Sequence, residues 1–162
     1  MQINIREYRP SDLKAMIDIW NSVVIAGNAF PQTETLKEDS AREFFGAQSF
    51  TGVAVDEKDR VLGLYILHPN NVGRCSHIAN SSYAVHKDFR GNHIGESLVR
   101  HSIVTAKQQG FKILQFNAVV CNNLAAIKLY EKLGFVKVGV IPGGFKLDTG
   151  EFLDIIIYYI KL

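Results

Sequence analysis

The stretch Arg90-Gly91-Asn92-His93-Ile94-Gly95-Glu96 joins a cation, two glycines and a run that can open a helix. Where such a segment leads out of a strand, successive backbone N–H groups converge at the positive end of the helix dipole, an arrangement that binds phosphate. Gly91 and Gly95 let backbone approach a ligand closely, and Arg90 with Lys87 adds mobile positive charge suited to a pyrophosphate. A glycine-containing turn without a ligand is the competing reading. Further on, Asn122 or Asn123 can cap a helix that runs to Leu133. Asn80 with Ser82, and Gln115 with Asn117, stand at alternate positions of two β-rich runs, so each pair shares one face. Amides lining interior strands need partners, and a substrate carboxylate or an ordered water is one choice.

Two other chemistries find less support. No Asp or Glu falls between Arg60 and Lys87, so the strand before the glycine loop lacks a carboxylate base, leaving water or His77 as candidates. Cys121 has no neighbour that would activate it as a nucleophile and reads as a packed thiol.

The elements that must position these groups follow from periodicity and punctuation. Ile3 to Tyr8 reads as a strand, followed by a helix with Leu13, Met16, Ile17, Ile19 and Trp20 on its apolar side. A short helix over 35–45, anchored by Leu36 and Phe44, follows the Phe30-Pro31 break. Strands over 50–55 and 61–67 flank a polar connection and form an antiparallel hairpin. A strand over 76–85 feeds the glycine loop and a helix ending at Gly110. A strand over 113–120, a helix to Leu133 closed by Gly134, and strands over 136–141 and 152–160, with a Gly-rich segment between them, complete the order β-α-α-β-β-β-α-β-α-β-β.

Composition bounds the function. The 162 residues fit one domain, with 47% apolar and 21% charged residues and no linker or tail signature. A formal net charge of +2 gives no clustered basic face for nucleic acid or membrane. The start Met1-Gln2-Ile3-Asn4-Ile5-Arg6 lacks signal-peptide character, and Cys75 and Cys121 lack metal-ligand spacing, so a cytoplasmic, reduced setting without metal is expected.

The segment Arg90-x-x-x-x-Gly95 resembles the pyrophosphate loop Arg/Gln-x-x-Gly-x-Gly/Ala of the GNAT N-acetyltransferases, with His93 replacing the first motif glycine. Asn123-x-x-Ala126-Ile127-x-Leu129-Tyr130-Glu131-Lys132-Leu133-Gly134-Phe135 resembles that family's Asn-x-x-Ala-x-x-Leu-Tyr-x-x-x-Gly-Phe helix. The resemblance implies an α/β (α+β) GNAT fold: a mixed, mostly antiparallel sheet of about seven strands with about four flanking helices and with strands 4 and 5 splayed. It further implies acetyl-CoA as acyl donor and direct attack by an amine, with Tyr130 protonating the thiolate. Cofactor contacts are implied for the backbone of Tyr83, Ala84 and Val85, for Arg90, Gly91, Asn92, His93, Ile94, Gly95 and Glu96, and for Asn123, Ala126 and Tyr130. His68-Pro69-Asn70-Asn71, Ser76-His77-Ile78-Ala79 and Phe116-Asn117-x-Val119 are similar to fungal acetyltransferases that detoxify azetidine-2-carboxylate. Phe30-Pro31-Gln32-Thr33-x-Thr35 and the Gly143-Gly144-Phe145-Lys146 ending resemble phosphinothricin-type enzymes, which often carry Glu where Asn80 stands.

From that likeness the acceptor is expected to be a small-molecule amine, an amino acid or its analogue. Asn80 and Asn117 are expected at the reacting centre, and Phe30, Tyr65, Asn80 and Asn117 around the substrate, with Trp20 and Asn28 as neighbours. A homodimer is a family expectation. A protein or peptide acetyltransferase, and a CoA-binding regulator without turnover, are the alternatives.

Overall fold

A computed structural model describes residues 2–162. Strand β1 (Asn4–Glu7) leads through a one-turn 3-10 segment into α1 (Leu13–Ala26) and α2 (Glu38–Gly46). Strands β2 (Phe50–Val55), β3 (Val61–Pro69) and β4 (Ile78–Val85) come next, then α3 (Ile94–Gln108), β5 (Ile113–Val120), α4 (Leu124–Lys132), β6 (Val136–Lys146) and β7 (Phe152–Lys161). The strands form one seven-stranded sheet in the order β1-β2-β3-β4-β5-β7-β6. Every neighbouring pair is antiparallel except β4 and β5.

Each face of the sheet is covered by helices. Leu64, Ile66 and Ala84 point to the face where Met16, Trp20 and Phe45 of α1 and α2 close a core. Tyr65, Leu67 and Ala79 point to the opposite face, under Leu98 and Val99 of α3. Strand β3, covered on both sides, is accordingly apolar almost without interruption.

Helix ends agree with their punctuation. Gly27 takes φ +65° to close α1, Gly134 takes φ +89° after α4, and the Asn123 side chain accepts from the Ala126 N–H to open α4. One expectation fails. The Gly-rich segment after Ile141 does not separate two strands but is part of β6, with the register against β7 shifting between Ile141 and Phe145. Gly144 faces Ile155, where a Cβ would overlap that side chain, and Phe145 is buried with Val120 and Ile155.

The same close fit occurs between Gly52 and Tyr65, which are direct partners on β2 and β3; the Tyr65 ring fills the volume a Gly52 side chain would take. The ring is fully buried and its phenol bonds His101 Nδ1 at 2.8 Å and Thr105 Oγ1 at 3.2 Å on α3. Gly52→Ala must displace this ring from its core position. We expect a destabilisation of about 1–3 kcal/mol in denaturant unfolding, the usual cost of overpacking a core; an unchanged midpoint would contradict this packing.

Candidate active site

The cleft arises where β4 and β5 part. The two strands pair only at Ile78↔Ile113 and Ala79↔Leu114, although each is eight residues long. On its other edge β4 is in register with β3 from Ala79 to Val85. The ladder runs from Asn70 N–H donating to Ile78 O at one end to His86 N–H donating to Leu62 O at the other. Antiparallel pairing alternates, so the even-numbered residues of β4 bond β3. The N–H and C=O of Ser81, Tyr83 and Val85 therefore face the gap toward β5.

This alternation corrects one expected contact. Ala84 lines the groove, but its backbone belongs to the β3 ladder: its carbonyl lies only 2.9 Å from where a Gly63 Cβ would be. Tyr83 and Val85 offer free backbone groups; Ala84 does not. The Tyr83 side chain points the other way, into the core. Its hydroxyl donates to Ser102 Oγ at 2.7 Å, because Ser102 already donates its own hydrogen to Val99 O.

A groove of about 710 Å³ follows the open edge of β4 to the first turn of α3. Among the described residues, the N–H groups of residues 91–96 have no protein acceptor. They form a run of donors at the positive end of α3, which is the arrangement a phosphate requires. Arg90 lies exposed on the same groove and forms no ion pair among the described residues. Asn92 contributes differently: its side-chain amide donates to Phe89 O at 3.0 Å and Arg90 O at 3.3 Å and staples the loop.

His93, in the position of the motif glycine, adopts φ +59°. That left-handed conformation is the one glycine adopts most readily. Its imidazole is 84% exposed and turned to within 3.8 Å of the Glu96 carboxylate. Backbone donors are thus preserved despite the substitution.

Glu96 would oppose an anion at this mouth if left alone. Its carboxylate instead accepts from Lys132 Nζ at 2.7 Å and Arg100 at 2.8 Å, which hold it down at about 2. The Lys132 pair also ties the end of α4 to the start of α3.

A second, smaller pocket of about 210 Å³ continues from the groove, sharing Ala29, Tyr83 and Asn123 with it. Tyr130 lines it, held by ring contacts with Phe116 at 4.5 Å and Phe135 at 5.6 Å. No hydrogen bond joins its hydroxyl to another described residue, and burial pushes the phenol well above its usual range, with the neighbouring Tyr83 adding to the shift. Tyr130 is therefore a protonated donor over the whole working pH range. An ordinary phenol near 10 is already a weaker acid than a thiol near 8.5, so outright transfer to a free thiolate runs uphill. What this placement allows is a hydrogen bond to sulfur as negative charge develops there; the proton that ends on the thiol is balanced by the one an amine nitrogen loses on becoming an amide.

Phe30 and Pro31, from the segment between α1 and α2, form one wall, and Asn80, Ser82, Asn117 and Ala126 contribute others. Asn123 uses its carbonyl oxygen for the cap at 3.3 Å and keeps its amide hydrogens for a ligand. Tyr65, Trp20 and His77 do not belong here. Tyr65 and Trp20 are core residues, on opposite sides of the sheet, and His77 is exposed beyond the end of β4. Asn28 lines the larger groove. The residue that sequence reasoning missed is Asn70, whose carbonyl oxygen accepts from both Asn80 and Asn117.

With this geometry established, comparison with known proteins is decisive. The profile of the Acetyltransferase (GNAT) family matches residues 15–135. The chain belongs to the GNAT acetyltransferase family. It is 34% identical over 113 residues to the N-acetyltransferase aca1 of Schizosaccharomyces pombe, a match covering 69% of this chain and 54% of that protein. The chain thus corresponds to about half the length of that relative. It is 27% identical to the L-amino acid N-acyltransferase MnaT of Escherichia coli, across 99% of this chain and 94% of that one. A solved GCN5-related N-acetyltransferase from Kribbella flavida superposes with a TM-score of 0.91 at 31% identity, covering 99% and 98% of the two chains. GNAT structures with bound acetyl-CoA share the fold, among them a Sinorhizobium meliloti phosphinothricin acetyltransferase at a TM-score of 0.92 and 20% identity, covering 100% of this chain and 89% of that one.

The GNAT assignment makes acetyl-CoA the acyl donor, and the residues present fit it. Free N–H groups, an unpaired arginine and the open edge of β4 match a pyrophosphate followed by an amide-bearing arm. His93→Gly should keep all of these donors while relieving the left-handed backbone. We expect a gain of about 1 kcal/mol in unfolding free energy, with the KM for acetyl-CoA within about threefold of the parent. A marked loss of acetyl-CoA affinity would show instead that the imidazole itself contacts the phosphates.

Proposed function

We propose that this protein transfers the acetyl group of acetyl-CoA directly to the primary or secondary amine of a small molecule, an amino acid or amino-acid analogue. The observation that carries this reading is the junction of the two cavities. Tyr83 and Val85, with free backbone groups, line the larger groove, and Tyr83 also lines the smaller pocket together with Tyr130, Asn80 and Asn117. At about 210 Å³ the acceptor end lies below the range typical of drug-sized ligands. A folded peptide segment would need a more open groove. The amino-acid acyltransferase activity named for the Escherichia coli relative supports the same class of acceptor.

Bound acetyl-CoA supplies a thioester carbonyl already activated toward amines. The protein holds the phosphates with residues 90–96 and lays the thioester along the edge of β4. A backbone N–H of Tyr83 or Val85 donates to the carbonyl oxygen, where negative charge develops. Tyr130 donates to the sulfur. The described residues lining the smaller pocket include no Asp, Glu, Lys, Arg or His. No side chain there can act as a strong base, so the acceptor arrives as the free amine or passes its proton to water.

Thiol release measured against L-amino acids, amino-acid analogues, polyamines and peptides tests this reading. Transfer to free amino acids is expected. Tyr130→Phe should lower kcat by about 100-fold, the scale of removing one preorganised donor to a developing negative charge, with little change in the KM for acetyl-CoA. The rise of kcat/KM with pH should follow the ammonium pKa of whichever acceptor is used, because only the neutral amine attacks. Absence of transfer to every amine, despite acetyl-CoA binding, would overturn the proposal. A pH limb that stays fixed when acceptors differ in amine pKa would reveal a protein base and contradict the water-mediated step.

A further inference from the structure

Asn70 lies just past β3, and its side chain reaches the point where β4 and β5 separate. Its backbone N–H donates to Ile78 O at 2.7 Å, fixing it at the last rung of the β3–β4 ladder. Its side-chain oxygen accepts from Asn80 Nδ2 on β4 at 3.1 Å and from Asn117 Nδ2 on β5 at 2.6 Å. Gln115 Nε2 in turn donates to the Asn117 oxygen at 2.9 Å. One carbonyl oxygen thus holds an amide from each of the parting strands.

Asn80 and Asn117 line the acceptor pocket, while Asn70 stands behind them. A primary amide carries two N–H donors, and the contact with Asn70 consumes only one on each residue. The bridge therefore leaves one N–H on Asn80 and one on Asn117 for a ligand, and it fixes the orientation of both. Rotating either amide would put its oxygen against the Asn70 oxygen, an acceptor–acceptor clash. No charged side chain lines the pocket among the described residues, so an anion there depends on neutral donors, and these two hydrogens are the ones that a shared acceptor orients as a pair. Hydrogen bonds from neutral N–H groups to an ionised carboxylate are short and strong.

We infer that Asn70 is a specificity-determining positioning residue: it sets Asn80 and Asn117 as a paired N–H clamp for the carboxylate of an α-amino-acid acceptor. The inference rests on the acetyltransfer reading and adds the substrate feature that is recognised. A polyamine gains nothing from the clamp, because a second ammonium needs acceptors and finds donors.

The test compares acceptors that differ only by the carboxylate: L-leucine against 3-methylbutylamine, and L-methionine against 3-(methylthio)propylamine. The parent enzyme should favour the amino acid of each pair in kcat/KM, after correction for the fraction of free amine. Asn70→Ala should reduce that preference by about tenfold, the scale of one hydrogen bond to a charged group, through the KM of the amino acid and with the KM for acetyl-CoA unchanged. Asn70→Asp retains an oxygen for both amides but adds a negative charge. It should fold as the parent does and penalise the amino acids more than the bare amines. Equal effects on both members of each pair in either variant would mean a merely structural bridge and would overturn the inference. A parent enzyme that prefers the decarboxylated amines would do the same. Failure of the parent to acetylate any amine would instead overturn the acetyltransfer reading, and this inference with it.

Discussion

The structure depends on strands β4 and β5 letting go of each other. Two residue pairs hold them, and beyond Ala79 and Leu114 the backbone groups of Ser81, Tyr83 and Val85 have no strand partner. A buried backbone group left unpaired costs about 1–3 kcal/mol. Such a gap persists only because other contacts keep the strands apart and because the cleft is open to water or a ligand. Beneath it, Phe116, Tyr130 and Phe135 form a wedge of rings with centroids 4.5 to 5.6 Å apart. Strand β5 also shifts register against β7 between Phe116 and Val119, beyond the two rungs it shares with β4.

The consequences reach both ends of the cleft. At one end, the chain leaving β4 turns through Gly91 and His93, both at positive φ, and enters α3 with six consecutive N–H groups uncommitted. At the other, the Asn70 carbonyl crosses the crotch of the split and joins strands that no longer bond each other. Between them, Tyr130 on α4 belongs both to this ring cluster and to the lining of the smaller pocket. On the proposed reading, donor binding, the hydrogen bond to sulfur and acceptor recognition all depend on this split.

Electrostatics follows the same division. The phosphate end gathers backbone dipoles and Arg90, and the acid that intrudes, Glu96, is neutralised by Arg100 and Lys132. The acceptor end, among the described residues, is lined by amides, hydroxyls and apolar groups alone. An ammonium ion gains little in such a place, which favours the reactive neutral amine.

Much of this was legible in the sequence. Asn123 and Gly134 marked the ends of α4 because capping is local chemistry, and the motif helix located Tyr130. The loop at 90–96 was legible through its glycines and its place between strand and helix. What escaped was long-range. Tyr65 looked like a pocket aromatic, but its position opposite Gly52, under α3, depends on a strand register that no local pattern reveals. Ala84 was expected to offer its backbone, yet the alternation of the β3 ladder assigns that role to its neighbours. Asn70 and Asn117 are 47 residues apart, and their contact exists only because the sheet brings β3 and β5 within reach around β4.

The most direct test of the account is an amide-resolved NMR titration of the protein with acetyl-CoA. The account predicts that the largest shifts fall on the amides of residues 91–96, with Tyr83 and Val85 moving and Ala84, bonded to β3, moving less. Shifts confined to another surface, such as the acidic turn around Asp56 and Asp59, or equal shifts along all of β4, would contradict a donor site built from the open strand edge and the start of α3.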